Sequence, residues 1–267
     1  MKFYYSYFKL KFISGLQYRT AAIAGISTQI FFGLIFIMVY VAFYSSNSID
    51  LSFNLQQAVT YVWLCQCFFS LVNMFYKDNE IFDMIRKGDI AYELIRPKKL
   101  YFVWFSKIIG QRLAMVSLRC IPVIIISLLL PKPYNLSLPV SFLNFILFVV
   151  TLIIGALLMT SIITLYHVIT LSTLNEKGIT NIFVAIADLL SGLVVPIPLF
   201  PRFLQIISDY LPFRYISDLP FRIYSGNIGI SEGLVGILVQ IIWIVIITIV
   251  GYILTNKSLK RVVVQGG

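Results

Sequence analysis

Residues 143–171 read LNFILFVVTLIIGALLMTSIITLYHVITL and contain no Asp, Glu, Lys or Arg. A helix needs about 20 apolar residues to cross the hydrocarbon core of a bilayer, so this segment is long enough to span a membrane. Five more apolar segments lie at about 21–44, 58–75, within 104–130, at 179–195 and at 233–254. The sequence therefore predicts an all-α polytopic membrane protein with about six transmembrane helices.

The composition agrees with this fold class. Of the 267 residues, 59% are hydrophobic and 12% are charged, and the mean hydropathy is +0.91. Soluble domains carry about 45–50% apolar and about 25% charged residues. These values exclude a soluble enzyme, a secreted binding module and a disordered protein. The segments between the spans are too short for a separate soluble domain, so residues 1–267 are predicted to form a single transmembrane domain.

The basic residues indicate how the chain is oriented in the membrane. The formal net charge is +10, from 21 Lys and Arg against 11 Asp and Glu. With the amino terminus in the cytoplasm, sixteen of the 21 basic residues fall on the cytoplasmic side, as the positive-inside rule favours. Lys132, Arg202, Arg214 and Arg222 fall outside, and Arg119 lies within a span. Both termini are therefore predicted to be cytoplasmic, in a multi-pass protein of the cell membrane that contacts lipid and binds no nucleic acid.

Three segments lie outside the predicted spans. Residues 1–20 mix basic and aromatic side chains, which suits an interfacial helix among lipid headgroups. Residues 76–100 form the most charged part of the chain and are predicted to be a cytoplasmic loop. Residues 196–231 hold five of the ten prolines and are predicted to be extracellular.

A short helix is predicted inside the charged loop. Asp78 can cap its amino terminus, and Gly88 can supply the left-handed residue that ends it. Asp89 could cap a second turn over 90–96, which Pro97 would end. The helix dipole favours the order of the charged residues, which is Glu80, Asp83, Arg86 and Lys87.

Two interpretations of this helix remain open. Ile81, Phe82 and Ile85 share one face by helical spacing. The face could rest on lipid, or the helix could dock onto a soluble partner. In the second case the apolar side chains would supply contact area and the charged side chains would set the register.

This segment resembles a known family. Residues 85–97, IRKGDIAYELIRP, look like the cytoplasmic loop of membrane subunits of ATP-binding-cassette (ABC) exporters of the second type. In that family a charged helix, Arg-x-Gly and Leu-x-Arg-Pro lie between the second and third spans. Leu211-Pro212-Phe213, Pro220 and Gly226 also resemble the pattern before the family's last span.

The resemblance implies a permease subunit of an ABC exporter. Such a subunit works with a second permease subunit, identical or related, and with separate cytoplasmic ABC ATPase subunits that hold ATP and magnesium. This chain has no Gly-x-x-x-x-Gly-Lys-Ser/Thr phosphate loop, so it is predicted to bind no cofactor and not to be an enzyme. The loop would then be the ATPase-coupling element. Its candidate residues are Asp78, Glu80, Ile81, Phe82, Asp83, Ile85, Arg86, Lys87, Gly88, Asp89 and Arg96.

Two charged residues lie inside predicted spans, where charges are costly and usually functional. Arg119 could snorkel to the inner interface, and Asp188 could line the translocation path or make a structural hydrogen bond. We also consider that the two pair with each other. His167, the only histidine, cannot build a multi-histidine metal site, and no catalytic residue or metal ligand is predicted.

The proline-rich segment contains a near-repeat. Residues 211–217, LPFRYIS, are followed eight positions later by residues 219–225, LPFRIYS. Each proline can open a short helix, which predicts two interfacial half-helices with aromatic rings among the headgroups. The resemblance favours instead a re-entrant extracellular gate. Its candidate residues are Pro212, Phe213, Pro220 and Phe221.

Two other functions remain as alternatives. A membrane-embedded enzyme acting on lipid or peptide would need clustered carboxylates, histidines or metal ligands in the spans. An ion-coupled secondary transporter would need an ion site and often inverted repeats, for which Asp188 alone is thin support. The residues do not indicate the transported substrate, and they do not distinguish a homodimer from a heterodimer.

Overall fold

The computed structural model describes residues 2–46, 53–75, 78–90, 93, 98–173 and 175–260. These residues contain eleven α-helices and no strand, so the all-α prediction is confirmed. The helices are α1 (Lys2–Leu16), α2 (Arg19–Ser46), α3 (Leu55–Cys67), α4 (Phe69–Val72), α5 (Asn79–Lys87), α6 (Leu100–Leu129), α7 (Phe142–Thr173), α8 (Glu176–Leu190), α9 (Arg202–Tyr210), α10 (Arg214–Tyr224) and α11 (Ile230–Leu259), with a 3₁₀ turn at Ile197–Leu199.

Four of the helices, α2, α6, α7 and α11, are long and apolar enough to cross a membrane. In the most apolar part of α7, 67% of the residues are buried, against 22–28% in the other three. Helix α7 is therefore the centre of the bundle. The other three long helices turn broad apolar faces outward, as expected where lipid takes the place of water.

The other two predicted spans are shorter helices. The segment predicted as the second span is divided into α3 and α4 at Phe68, whose backbone leaves helical geometry. The buried Arg112 of α6 donates to the carbonyl groups of Ser70 and Leu71 at the end of α4. Helix α8 ends at Leu190, five residues before the predicted end of the fifth span. The count of six spans therefore stays a prediction.

The bundle has two chemically different ends. At one end, which we call the α5 end, lie α1, α5, the start of α6 and the carboxyl ends of α7 and α11. Ser172 of α7 and Ser258 of α11 share a hydrogen bond there. At the opposite end, which we call the α10 end, the Asn144 side chain of α7 donates to the carbonyl of Ile223 in α10 at 2.9 Å.

Helix α1 packs along the first half of α6. A Cβ on Gly110 would lie 2.6 Å from the carbonyl oxygen of Phe8, so only glycine lets the two backbones approach this closely. Tyr4 and Phe102 make an edge-to-face contact with ring centres 6.2 Å apart. The predicted amino-terminal helix is thus present, and α6 fixes its position.

Candidate functional site

Helix α5 forms as its sequence predicts. The side chain of Asp78 accepts a hydrogen bond from the Glu80 amide at 3.0 Å, which satisfies one of the free donors of the first turn. Gly88 ends the helix in the left-handed conformation, with φ of 77°. The predicted helix over residues 79–87 is therefore confirmed with both of its caps.

The apolar face of α5 packs on α7. The Phe82 ring stacks on His167 with ring centres 4.3 Å apart, and it lies nearly parallel to Tyr166 at 6.1 Å. Ile81 and Ile85 are buried beside it. Nδ1 of His167 lies 2.7 Å from the carbonyl oxygen of Ile163 in the same helix. This contact fixes the imidazole ring beneath α5.

This packing corrects one part of the hypothesis that α5 docks onto a soluble partner. It also excludes the alternative that the apolar face of α5 rests on lipid. Ile81, Phe82 and Ile85 are buried within the chain, so they supply no contact area to a partner and do not rest on lipid. The reason is that burying three large apolar side chains against protein is worth several kcal/mol, roughly 1.5–3 for each. Sequence periodicity identified the buried face but not the surface that covers it.

Two lysines hold the charged side of α5 to the bundle. Nζ of Lys11 in α1 lies 3.2 Å from Asp78 and 2.5 Å from Glu80. Nζ of Lys107 in α6 lies 2.9 Å from Glu93 and 3.7 Å from Glu80. We call these four ion pairs the α5 tether. No local sequence pattern indicates this tether, because its partners are up to 69 residues apart.

Two members of the α5 tether, Lys11 and Glu80, keep their charges over a wide pH range. Burial alone would lower the pKa of Lys11, but the carboxylates of Asp78 and Glu80 outweigh it and raise this pKa above its ordinary value of 10.5. Burial would raise the pKa of Glu80, yet Lys11 and Lys107 hold it below its ordinary value of 4.5. The contribution of Glu80 to stability is therefore lost only as pH falls through its lowered pKa, and that of Lys11 only as pH rises through its raised pKa.

The remaining charged groups of α5 face outward. Arg86 and Lys87 are exposed, and Arg86 pairs with the partly exposed Asp83 one turn earlier. Asp89 is half-buried after the helix, whereas Arg96 lies outside the described residues. Helix α5 thus presents a charged surface, built on an apolar anchor, at one end of the bundle.

A second polar cluster lies at the α10 end, around a carboxylate that sequence reasoning missed. Asp218 of α10 is completely buried. Its Oδ2 lies 3.4 Å from Arg214 and 3.3 Å from Arg222, one turn before and one turn after it. Arg214 also pairs with Asp209 of α9. The sequence pattern could have indicated this carboxylate, because arginines four residues before it and four residues after it share its helix face.

Asp218 also joins α10 to two other parts of the chain. The hydroxyl of Tyr61 in α3 lies 3.1 Å from Oδ1 of Asp218 and 3.0 Å from the carbonyl oxygen of Gly192, which follows α8. The Ser217 hydroxyl donates to the carbonyl of Ser191 at 2.8 Å. We call this set of contacts the Asp218 cluster. It holds α3, α8 and α10 together.

The four candidate gate residues lie in α10 or directly before it and are buried. They are Pro212, Phe213, Pro220 and Phe221. Phe221 packs edge-to-face on Tyr61, with ring centres 5.6 Å apart. The expectation that aromatic rings lie among lipid headgroups is therefore wrong for Phe213 and Phe221, because protein covers both rings.

The predicted pair of half-helices is also wrong. Pro220 lies inside α10 instead of opening a second helix. A proline in this position has no N–H to offer the carbonyl four residues earlier, that of Ile216. This carbonyl faces Gly155 of α7, where a Cβ would be only 2.7 Å away. The small residue lets α7 pack directly on the interrupted part of α10.

Arg119 and Asp188 lie in different surroundings. Arg119 of α6 is buried against the start of α2, and its Nη2 donates to the carbonyl of Ala21 at 3.4 Å. A Cβ on Gly25 would collide with its guanidinium. Asp188 is near the carboxyl end of α8, and its Oδ1 has no hydrogen-bond partner among the described residues. The structure gives no support to an Arg119–Asp188 pair.

Two glycines with positive φ provide a matched test of the Asp218 cluster. Gly192 has φ of 80°, and a Cβ there would lie 2.4 Å from the Tyr61 hydroxyl oxygen. Gly88 has φ of 77° and nothing within 4 Å of a Cβ. Gly88→Ala is expected to cost only backbone strain, about 1–2 kcal/mol. Gly192→Ala should lower the unfolding temperature in detergent clearly more, and equal losses would contradict the close approach of Tyr61.

Comparison with known proteins identifies the family of this chain. Residues 29–266 match the model of a protein family described as ABC-2 family transporter protein. The chain belongs to this family. A search of curated proteins and a search of solved structures each found no match. The predicted resemblance to ABC-2 permeases is therefore confirmed over residues 29–266.

Membership in the ABC-2 family makes this a multi-pass membrane protein of an ABC transporter permease family. Such permeases generally work with cytoplasmic ATPase subunits. The four long apolar helices agree with this assignment.

Proposed function

We propose that this chain is the permease subunit of an ATP-driven ABC exporter. It would form the translocation path with a second permease subunit and be driven by separate cytoplasmic ATPase subunits. The observation that carries the proposal is the construction of α5. Its apolar face is fixed on the central helix α7, while Arg86 and Lys87 remain exposed at the end of the bundle.

This function requires α5 to face the cytoplasm. Lys11, Lys107 and the charged face of α5 lie together at the α5 end, which suits the positive-inside rule. Helices α3 and α4 together, and α8, would then cross the membrane as the two shorter spans. Residues 55–72 would cover about 27 Å as a helix, close to the thickness of the hydrocarbon core. Both termini would be cytoplasmic.

Helix α7 would carry movement from one end of the protein to the other. Phe82 and His167 connect it to α5, and Asn144 and Gly155 connect it to α10. At 32 residues it is about 48 Å long, enough to cross the whole membrane. When partner ATPases move α5, α7 would transmit that movement to α10.

The α10 end would act as the extracellular gate. The Asp218 cluster joins three segments of the chain, and Phe221 packs on its Tyr61 ring. Opening would separate α10 from Tyr61 or from the segment after α8. Since breaking a buried ion pair is costly, the cluster favours the closed arrangement until the ATPases supply the free energy.

The experiment that tests this function reverses the exposed charges of α5. We expect Arg86→Glu combined with Lys87→Glu to abolish recovery of an ABC ATPase subunit with the tagged permease. The ATPase is identified by mass spectrometry of a chain with a phosphate loop and by ATP hydrolysis. Like charges across an interface cost several kcal/mol, which is enough to release a transient partner.

The matched control is Arg202→Glu, an exposed arginine of α9 that leaves α5 unchanged. It should recover the ATPase at the wild-type level. Equal recovery with all three proteins would contradict docking on α5. Transport by vesicles that needs an ion gradient and proceeds without ATP would contradict the exporter itself.

A further inference from the structure

Four aromatic side chains connect α1, α6 and α11 at the α5 end. Phe3 packs edge-to-face on Tyr4 with ring centres 6.0 Å apart, and Tyr4 packs in the same way on Phe102 of α6 at 6.2 Å. Phe102 in turn lies 6.2 Å from the ring of Tyr252 in α11. The hydroxyl of Tyr4 accepts a hydrogen bond from the backbone N–H of Lys99 at 3.4 Å, which fixes the start of α6 on these rings. We call the four rings the aromatic platform.

Two lysines lie over the aromatic platform. Nζ of Lys98 is 4.9 Å from the centre of the Phe3 ring, and Nζ of Lys99 is 4.8 Å from the centre of the Tyr252 ring. Both distances fall within the range of cation–π contacts, about 6 Å, which orient an ammonium group without cancelling its charge. Both lysines remain exposed. Two neighbouring positive charges are therefore held in place and stay accessible to a ligand.

The helices that form the aromatic platform bring no carboxylate to it. Helices α1 and α6 contain no Asp or Glu, and the acidic residue of α11, Glu232, lies in its first turn at the opposite end of the bundle. Within the described part of the chain, neither of the two lysines forms an ion pair. The nearest carboxylate before them along the chain, that of Glu93, already pairs with Lys107. Lys257 and Lys260 add two exposed basic residues at the end of α11, so this surface is basic.

The aromatic platform lies where the lipid-facing surface of α11 ends. Helix α11 is long and apolar enough to cross a membrane, and Ile249 and Ile253, on either side of Tyr252, are 53% and 57% exposed. Apolar side chains this exposed on a membrane-spanning helix face acyl chains. The helix then becomes polar over residues 255–260, TNKSLK. Lys98 and Lys99 therefore lie at the level of lipid headgroups, where aromatic and basic residues are enriched.

We propose that this surface binds an anionic phospholipid, in which Lys98 and Lys99 contact the phosphate oxygens and the acyl chains lie against Ile249 and Ile253. Ammonium groups form charge-assisted hydrogen bonds with phosphate, and clustered basic residues beside a membrane-spanning helix favour anionic headgroups. A zwitterionic lipid carries its own cation and gains less from two unmatched lysines. An acidic protein surface would match the lysines but has no acyl chains to cover the isoleucines. This inference does not depend on the proposed transport function.

The test measures equilibrium binding of radiolabelled phosphatidylglycerol and phosphatidylcholine to the delipidated full chain in detergent. We expect wild type to prefer phosphatidylglycerol. Lys98→Gln combined with Lys99→Gln should weaken phosphatidylglycerol binding by roughly 25-fold, since each lysine beside an anionic lipid contributes about fivefold. Lys98→Arg combined with Lys99→Arg keeps both charges and should keep the binding. Raising salt from about 0.1 M to about 1 M should also weaken binding to wild type, because it shortens the Debye length from about 10 Å to about 3 Å.

The matched control is Lys9→Gln combined with Lys177→Gln. It removes two exposed lysines of the α5 end, one in α1 and one in the first turn of α8, that do not lie over the aromatic platform. This control should keep most of the phosphatidylglycerol binding. Equal losses in the two glutamine double variants would assign the binding to overall positive charge and overturn the proposal. Wild-type binding in Lys98→Gln with Lys99→Gln, or full displacement of the lipid by an equal concentration of glycerol 3-phosphate, would also overturn it.

Discussion

Phe82→Ala is expected to release α5 from the bundle while leaving the long helices folded. The ring stacks on His167 and Tyr166 and is 2% exposed, so its loss leaves a cavity between α5 and α7. Changes of this kind cost about 3–5 kcal/mol in protein cores. Hydrogen exchange over residues 79–87 should therefore rise by a factor of 10² or more, since each 1.4 kcal/mol is tenfold.

The control for this prediction is Lys87→Ala in the same helix. Lys87 is exposed, so its removal should change local stability by no more than about 0.5 kcal/mol. If both variants exchange at the wild-type rate, the packing of α5 on α7 is not what holds it. If α5 couples this chain to an ATPase subunit as proposed, Phe82→Ala should still permit ATP hydrolysis but reduce export, because movement of α5 would no longer reach α7.

Asp218→Asn is expected to destabilise the α10 end strongly. The carboxylate is completely buried between Arg214 and Arg222, and asparagine removes its charge without changing its size. Removing one partner of a buried ion pair costs about 3–5 kcal/mol, because the remaining charges are left without compensation. The unfolding temperature in detergent should fall by roughly 10 °C.

Asp209→Asn provides the matched control. Asp209 also pairs with Arg214, but its side chain is 42% exposed and water can replace the lost contact. Its expected effect is within about 1 kcal/mol. Similar losses in the two variants would show that Asp218 does not organise the cluster. Export by Asp218→Asn should also become leaky if this cluster keeps the gate closed.

Sequence patterns predicted the parts of this fold that depend on neighbouring residues. The caps at Asp78 and Gly88 and the buried face of α5 follow from spacing over one or two helical turns. The long apolar helices follow from length and hydropathy. These features need no information on which helices touch.

Other features depend on contacts between distant residues, and those could not be predicted. The Lys11 ion pairs cross 69 positions between Lys11 and Glu80, and Tyr61 reaches Asp218 across 157. Pro220 suggested a helix start, but α10 continues through it, and the carbonyl of Ile216 faces Gly155 of α7. No Pro or Gly lies at the break at Phe68, so the sequence does not indicate it. Asp218 alone could have been found, because its two arginines are one helical turn away on each side.

Helix α5 is the proposed place where an ATPase subunit drives this ABC-2 permease. The most direct measurement places a photo-crosslinking amino acid at position 86, on the exposed side of α5, and at position 202 of α9, in membranes that contain the partner ATPase. We expect position 86 to crosslink to a chain with a phosphate loop, with a yield that changes when ATP is added, and position 202 to give no such product. An ATPase crosslink from position 202, or none from position 86, would contradict docking of the ATPase on α5.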